Sequence, residues 1–163
     1  MFKVKKELLK KIDNFLKKEE NSSLIGKPAS IQEIKNAEKI LNVKFNDQYI
    51  EFIKLFGGAY GGLTIRAFNN GDLIGKSTVI DLTLKFRKIF EEETFDFKGI
   101  EFEGESLEFL LKNSYVISDD GSGNPILMNE YGKIFIFLHD SGEVELLYNS
   151  LEELLIETYS KIS

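Results

Sequence analysis

Three short stretches of this 163-residue chain hold residue types that could do chemistry. The first is Asn70-Gly71-Asp72-Leu73-Ile74-Gly75-Lys76-Ser77. A phosphate-binding P-loop needs GxxxxGK[ST], so that backbone amides cradle the phosphates while Lys and Ser/Thr reach phosphate and magnesium. Here Asn70 holds the first glycine's place. A strand-like run precedes it, a helix-like run follows, and Val116-Ile117-Ser118-Asp119 offers a possible metal-binding strand end. A P-loop domain also needs several crossover units in a parallel sheet, whereas the C-terminal third reads as antiparallel hairpins. The favoured reading is a turn with a helix start at Ser77, and a nucleotide-hydrolysing enzyme is the remote alternative. The second stretch, Asp119-Asp120-Gly121-Ser122-Gly123-Asn124, resembles a calcium loop with Glu130 at position 12. Its positions 3 and 5 are glycines without a side-chain oxygen, and position 6 is Asn124 rather than glycine. A tight turn between strands explains it better. The third, His139-Asp140-Ser141, has the residue types of a hydrolase triad, but neighbours on a strand point to opposite faces. A hairpin turn at Asp140-Ser141-Gly142 is the simpler reading. The 27 acidic residues always offer some carboxylate pair for glycoside chemistry, and nothing singles one out.

Composition removes further classes. With no cysteine there is no disulfide framework, thiolate metal site or cysteine nucleophile, and one histidine cannot supply a two-imidazole site. These counts exclude much chemistry and single out no catalytic residue, metal or cofactor, and none is expected. The net charge of −6 is unevenly distributed. Residues 1–18 carry seven lysines against Glu7 and Asp13, a local +5, and the remaining 145 residues sum to −11. Such a body repels phosphate backbones and attracts a basic protein partner, which speeds encounter. Lysines and Glu7 interrupt any apolar stretch at the N-terminus, so no signal peptide is expected there. No apolar run approaches the roughly 20 residues that span a bilayer. A cytoplasmic protein with neither a nucleic-acid nor a membrane partner is the expectation.

The elements that must carry these residues follow from periodicity. Val4, Leu8, Ile12, Phe15 and Leu16 form the stripe of an amphipathic helix over 3–19, with lysines on the other side. Its two readings are a membrane or partner helix and, favoured because the stripe is narrow, a helix docked on its own domain. Asn21–Ala29 reads as a loop. Ser30-Ile31-Gln32-Glu33 fits a capping box that opens a helix to about Leu41, with Ile31, Ile34, Ala37 and Leu41 inward. A helix from about Asp47 buries Tyr49, Phe52, Ile53 and Phe56 and stops at Gly57-Gly58. A short strand is expected at Leu63–Phe68, and a helix through about Glu93 buries Val79, Leu82, Phe86, Ile89 and Phe90. Residues 91–108 are the most acidic stretch, with eight acids against Lys98. Phe95, Phe97, Ile100 and Phe102 suggest short extended segments within it, before a short helix at 105–112. Strands follow at Tyr115–Ser118, Pro125–Asn129, Lys133–His139 and Glu143–Tyr148. Ile134–Leu138 is apolar at every position, so both of its faces should be covered. The last strand alternates, with Val144, Leu146 and Tyr148 against Glu143 and Glu145. Ser150-Leu151-Glu152-Glu153 opens a final helix that buries Leu151, Leu154, Leu155 and Tyr159.

The ordered combination of these motifs carries a resemblance. Ser30–Ile34, Ala37–Phe45 and Asp47–Ile53 ending at Gly57-Gly58, followed by Asp119–Ile126, Gly132–Phe137, His139-Asp140 and Ser150–Leu155, resemble the SUKH superfamily, named partly for a yeast cell-wall synthesis regulator. The likeness covers about residues 30–156 of what reads as a single domain over 1–163. Asn46 replaces the usual proline before the second helix, and no tryptophan stands in the hairpin.

The resemblance implies an α+β fold: a single domain with a mixed, largely antiparallel twisted sheet and helices packed against it. It also implies a function, since many bacterial members are immunity proteins that bind and neutralise a cognate polymorphic or contact-dependent toxin, often a nuclease with a basic active site. Occlusion across roughly 800 Å² per partner would be the mechanism. A general protein-interaction module is the alternative. The residues chosen for toxin contact are Asp119, Asp120, Glu130, Asp140, Glu143 and Glu145, on one sheet face and its loops. Glu101, Glu103 and Glu105 form a second candidate patch.

Overall fold

Local capping and periodicity account for most of the elements. The structure, a computed structural model, describes residues 3–92, 101–102 and 104–161. In chain order the elements are α1 (Lys6–Leu16), a 3-10 segment (Glu19–Leu24), α2 (Ile31–Leu41), α3 (Asp47–Phe56), β1 (Ala59–Tyr60), β2 (Thr64–Ile65), α4 (Val79–Glu92), β3 (Glu101–Phe102), β4 (Glu105–Ser106), α5 (Leu107–Lys112), β5 (Tyr115–Asp119), β6 (Pro125–Met128), β7 (Ile134–Leu138), β8 (Glu143–Tyr148) and α6 (Leu151–Tyr159). The Ser30/Glu33 capping box is formed in both directions. Ser150 caps α6 by accepting from the Glu153 amide, while the Glu153 carboxylate reaches back to Asn149 N–H. Asn46, where the resemblance expects proline, caps α3 by accepting from Gln48 N–H. Gly57 ends α3 at φ +65°, and a Cβ there would stand 2.1 Å from the Lys27 carbonyl oxygen, so only glycine fits.

β5, β6, β7 and β8 form one antiparallel meander, and the β1–β2 and β3–β4 hairpins are antiparallel too. The expected mixed sheet is thus antiparallel in every described ladder, with a single parallel bridge between Gly58 and Asn70. Because directly paired residues share a face, the register sorts the side chains. Tyr115, Ile126, Met128, Ile134 and Ile136 join a large core with α1, α2, α3 and α6. Val116, Leu127, Phe135 and Phe137 pack on the other face with Phe86 of α4 and the α5 leucines. β7 is therefore covered on both sides, which is why its run is apolar throughout. Thr83 fastens α4 to the sheet: its buried hydroxyl donates to Val79 O and accepts from Val116 N–H.

Several expectations shift. The first helix ends at Leu16, and a 3-10 segment over Glu19–Leu24 runs into the expected loop. Ile31 sits at the first position of α2, outside the packed arc, and is 56% exposed rather than inward. Ile89 is 44% exposed. Thr78, not Ser77, caps α4, by a reciprocal pair of bonds with Asp81. A bulge where β8 meets Ile134 and Phe135 inserts Leu147, so Tyr148 pairs with Ile134 while Leu146 pairs with Phe135. Tyr148 thus leaves the face of Val144 and Leu146. Phe95, Phe97, Ile100 and Glu103 lie outside the described residues.

Candidate functional site

Helix α4 crosses one face of the sheet but does not fill it. Between them opens a groove of about 440 Å³. Leu82, Phe86, Ile89 and Phe90 of α4 form one wall, and Val116 and Phe137 of the sheet form the floor. Phe86 meets Phe137 edge-on, with ring centroids 5.4 Å apart. At one end the β5–β6 turn and His139 close the groove with polar groups, while Lys85 stands on the α4 side. An apolar floor with a polar rim is the form of a site that takes an apolar group and orients it by its edges.

The polar end is a connected turn. Asp119 Oδ1 accepts from Gly121 N–H at 2.8 Å, and Asp119 Oδ2 lies 3.8 Å from the Arg66 guanidinium. Asp120 accepts from the amides of Ser122 and Asn124 and from the Asn124 side-chain amide at 2.8 Å. The hydrogen bond from the Asn124 side chain, with that from the Ser122 amide, holds the Asp120 carboxyl below the usual carboxylate range. Asn124 is thereby oriented with its oxygen toward His139, whose backbone N–H donates to it at 2.9 Å and whose Nδ1 also faces it. His139 Nε2 lies 3.1 Å from Asp140 Oδ1. This corrects the expectation that His139 and Asp140 point apart: β7 ends at Leu138, so strand alternation no longer governs them. No triad is joined: among the described residues the Ser141 hydroxyl makes no bond to His139 and accepts instead from Glu143 N–H.

The six acidic residues do not share one face. Asp119, Asp120 and Asp140 gather in the two turns at the groove's polar end. Glu143 and Glu145 pair with Leu138 and Ile136, which places them on the opposite face, along the outer edge of the meander. Charges on an exposed edge also discourage edge-to-edge pairing. Glu130 lies in the β6–β7 turn at the far end of the sheet, where its carbonyl accepts from the Asn46 side chain. In the second patch, Glu105 is half-buried in β4, Glu101 is in β3, and Glu103 is outside the described residues. The groove itself was not among the sequence candidates. No sequence signal marked it, since Leu82, Phe86, Ile89 and Phe90 fall within the ordinary apolar arc of one packed helix face.

The loop once weighed as a phosphate cradle has its groups turned inward. Asn70 accepts from Ala67 N–H and donates to the carbonyls of Gly75 and Ser77, and the amides of Gly71, Leu73, Ile74 and Gly75 each bond a backbone carbonyl. The N-terminus of α4 faces the Asp81 carboxylate, which would repel a phosphate. Among the described residues no group of three or more potential metal ligands gathers, and no helix is long and apolar enough to cross a membrane.

Comparison with known proteins adds one match. The family model described as the SMI1 / KNR4 family (SUKH-1) matches residues 28–157. No curated protein and no solved structure matches the chain.

Proposed function

The chain belongs to the SMI1 / KNR4 family (SUKH-1), and from that premise we propose that it is an immunity protein that binds a cognate toxin and blocks it by occlusion, with no catalysis of its own. The observation that carries this reading is the groove under α4, an apolar recess bordered by Asp119, with Asp120 and Asp140 in the adjoining turns. A partner's apolar or aromatic side chain can anchor there, since buried rings dominate the energy of most interfaces. The acidic turns would speed encounter with a basic toxin, a nuclease among the candidates, and mainly affect the association rate. The −11 balance of residues 19–163 supports the same direction of attraction.

Co-expression with the product of the adjoining toxin gene tests the proposal. The expected result is growth rescue and a stable complex. Ile89→Glu places a charge in the groove at an exposed position, so it should weaken the complex at least about tenfold while leaving the unfolding midpoint unchanged. Neither rescue nor complex would sink the reading, and a stable complex with a non-toxin protein would favour the general interaction module instead. Calorimetry with ATP or GTP and magnesium should give no binding heat, because the amides of Gly71, Leu73, Ile74 and Gly75 are already bonded.

A further inference from the structure

We propose that the outward face of α1 is an electrostatic dock for anionic lipid headgroups, which would let the domain rest reversibly on a negatively charged bilayer surface. The helix lies before the residues that the family model matches, 28–157. Its apolar arc is docked on the domain. Ile12 and Leu16 are buried, Leu8, Leu9 and Phe15 pack against the same core, and Phe15 meets Tyr159 of α6 edge-on at 5.6 Å. Backbone bonds from Val4 to Glu51 and from Lys5 to Glu152 hold the other end. At 3.6 residues per turn, Lys6, Lys10 and Lys17 then fall on the side away from the domain, and Lys11 borders the apolar arc. All seven lysines of residues 1–18 are exposed. None of their ammonium groups has an ion-pair or hydrogen-bond partner among the described residues. With Glu7, Asp13, Glu19 and Glu20 included, residues 1–20 still carry +3.

The chemistry of this face selects a diffuse anionic surface. Its cations are all lysine, compact hydrated point charges without the planar fork that arginine offers a phosphate. The lysines stand on a convex helix with no groove to follow a nucleic-acid strand. The outward arc offers no aromatic ring on which a base could stack. A bilayer asks only for several positive charges near one plane, each contributing modestly within a Debye length. The docked stripe removes insertion as a route to the membrane. The sequence expectation of no membrane partner is revised for charge attraction alone. The acidic body need not prevent it: a helix is about 10 Å across, and the Debye length near physiological salt is about 8 Å, so acids behind the helix are largely screened.

Sedimentation with phosphatidylcholine vesicles, with and without phosphatidylglycerol, tests the dock independently of any toxin. The whole chain should sediment with the anionic vesicles at about 0.15 M salt, stay free of the neutral ones, and be released at about 1 M. The triple change K6E/K10E/K11E takes residues 1–18 from +5 to −1 and should weaken partitioning at least about tenfold. K35E/K39E/K54E reverses as much charge on exposed lysines of α2 and α3 and should weaken it far less. K6Q/K10Q/K11Q gives a milder version should the reversal disturb the helix. The proposal is overturned by no binding to anionic vesicles, by equal binding to neutral ones, by equal losses in the two triple reversals, or by tighter binding to a short DNA duplex at the same salt.

Discussion

The two faces of the four-stranded sheet are covered to different depths. Among the described residues, one packs against α1, α2, α3 and α6 and contributes to a cluster of 26 buried residues. The other meets α4 and α5 and contributes, among the same residues, to a cluster of eight, part of which borders the groove. A ring removed from the first leaves a closed void, whereas one removed from the second widens a recess that water already reaches. Among the described residues, buried packing is thus concentrated on one face, and the other keeps a groove.

Paired ring deletions are the strongest way to break that comparison. Phe52, on α3, is fully buried in the large cluster. Phe52→Ala should cost about 3–5 kcal/mol, combining lost burial with an enclosed cavity. Phe137, on β7, faces the groove. Phe137→Ala should cost about 2 kcal/mol, close to the burial contribution alone. Urea unfolding measures both, and equal losses would show that the faces are packed alike.

A rise in pH should strain only the deep face. Tyr49, Tyr115 and Tyr159 all lie in the large cluster. Burial pushes the hydroxyl of each above the ordinary tyrosine value, and for Tyr115 the Asn46 amide acts in the opposite sense without reversing the shift. The folded state keeps these protons while the unfolded chain releases them near pH 10. The contribution of these tyrosines should therefore be level below about pH 10 and fall above it, by up to about 1.4 kcal/mol per pH unit for each. Ultraviolet titration should show the three buried rings ionising together with unfolding. Ionisation of all six tyrosines before any loss of helix signal would refute the assignment.

What was legible in the residues was local. Ser30 and Glu33 announce a helix start because the bonds that cap it join residues three apart. Ile134–Leu138 announces a doubly covered strand because no position in it tolerates water. What failed depended on geometry between elements. The bulge at Leu147 turns Tyr148 to the other face, and nothing in the alternating sequence marks the extra residue. His139 and Asp140 meet because the strand stops one residue earlier than expected. The six acids were grouped by charge, which does not say which face of a strand carries it. The groove exists because α4 spans the sheet without filling it, a fact of helix placement rather than of any one residue.

Asn46 gives the finest test, because it ties the deep face together at the end of the sheet far from the groove. Its N–H donates to the Tyr115 hydroxyl at 2.9 Å, its oxygen caps α3, and its side-chain amide reaches the Glu130 carbonyl at 3.2 Å. Asn46→Ala removes the cap and the bond to Glu130 but keeps the N–H, so a loss of about 1 kcal/mol is expected. Asn46→Pro keeps φ near the observed −68° but removes the N–H and leaves the Tyr115 hydroxyl without its donor. It should cost more than the alanine change, because a buried phenol oxygen also loses its hydrogen bond. If proline proves equal to or better than alanine in urea unfolding, then the Asn46–Tyr115 bond contributes little. The depth of this face would then rest on its rings alone.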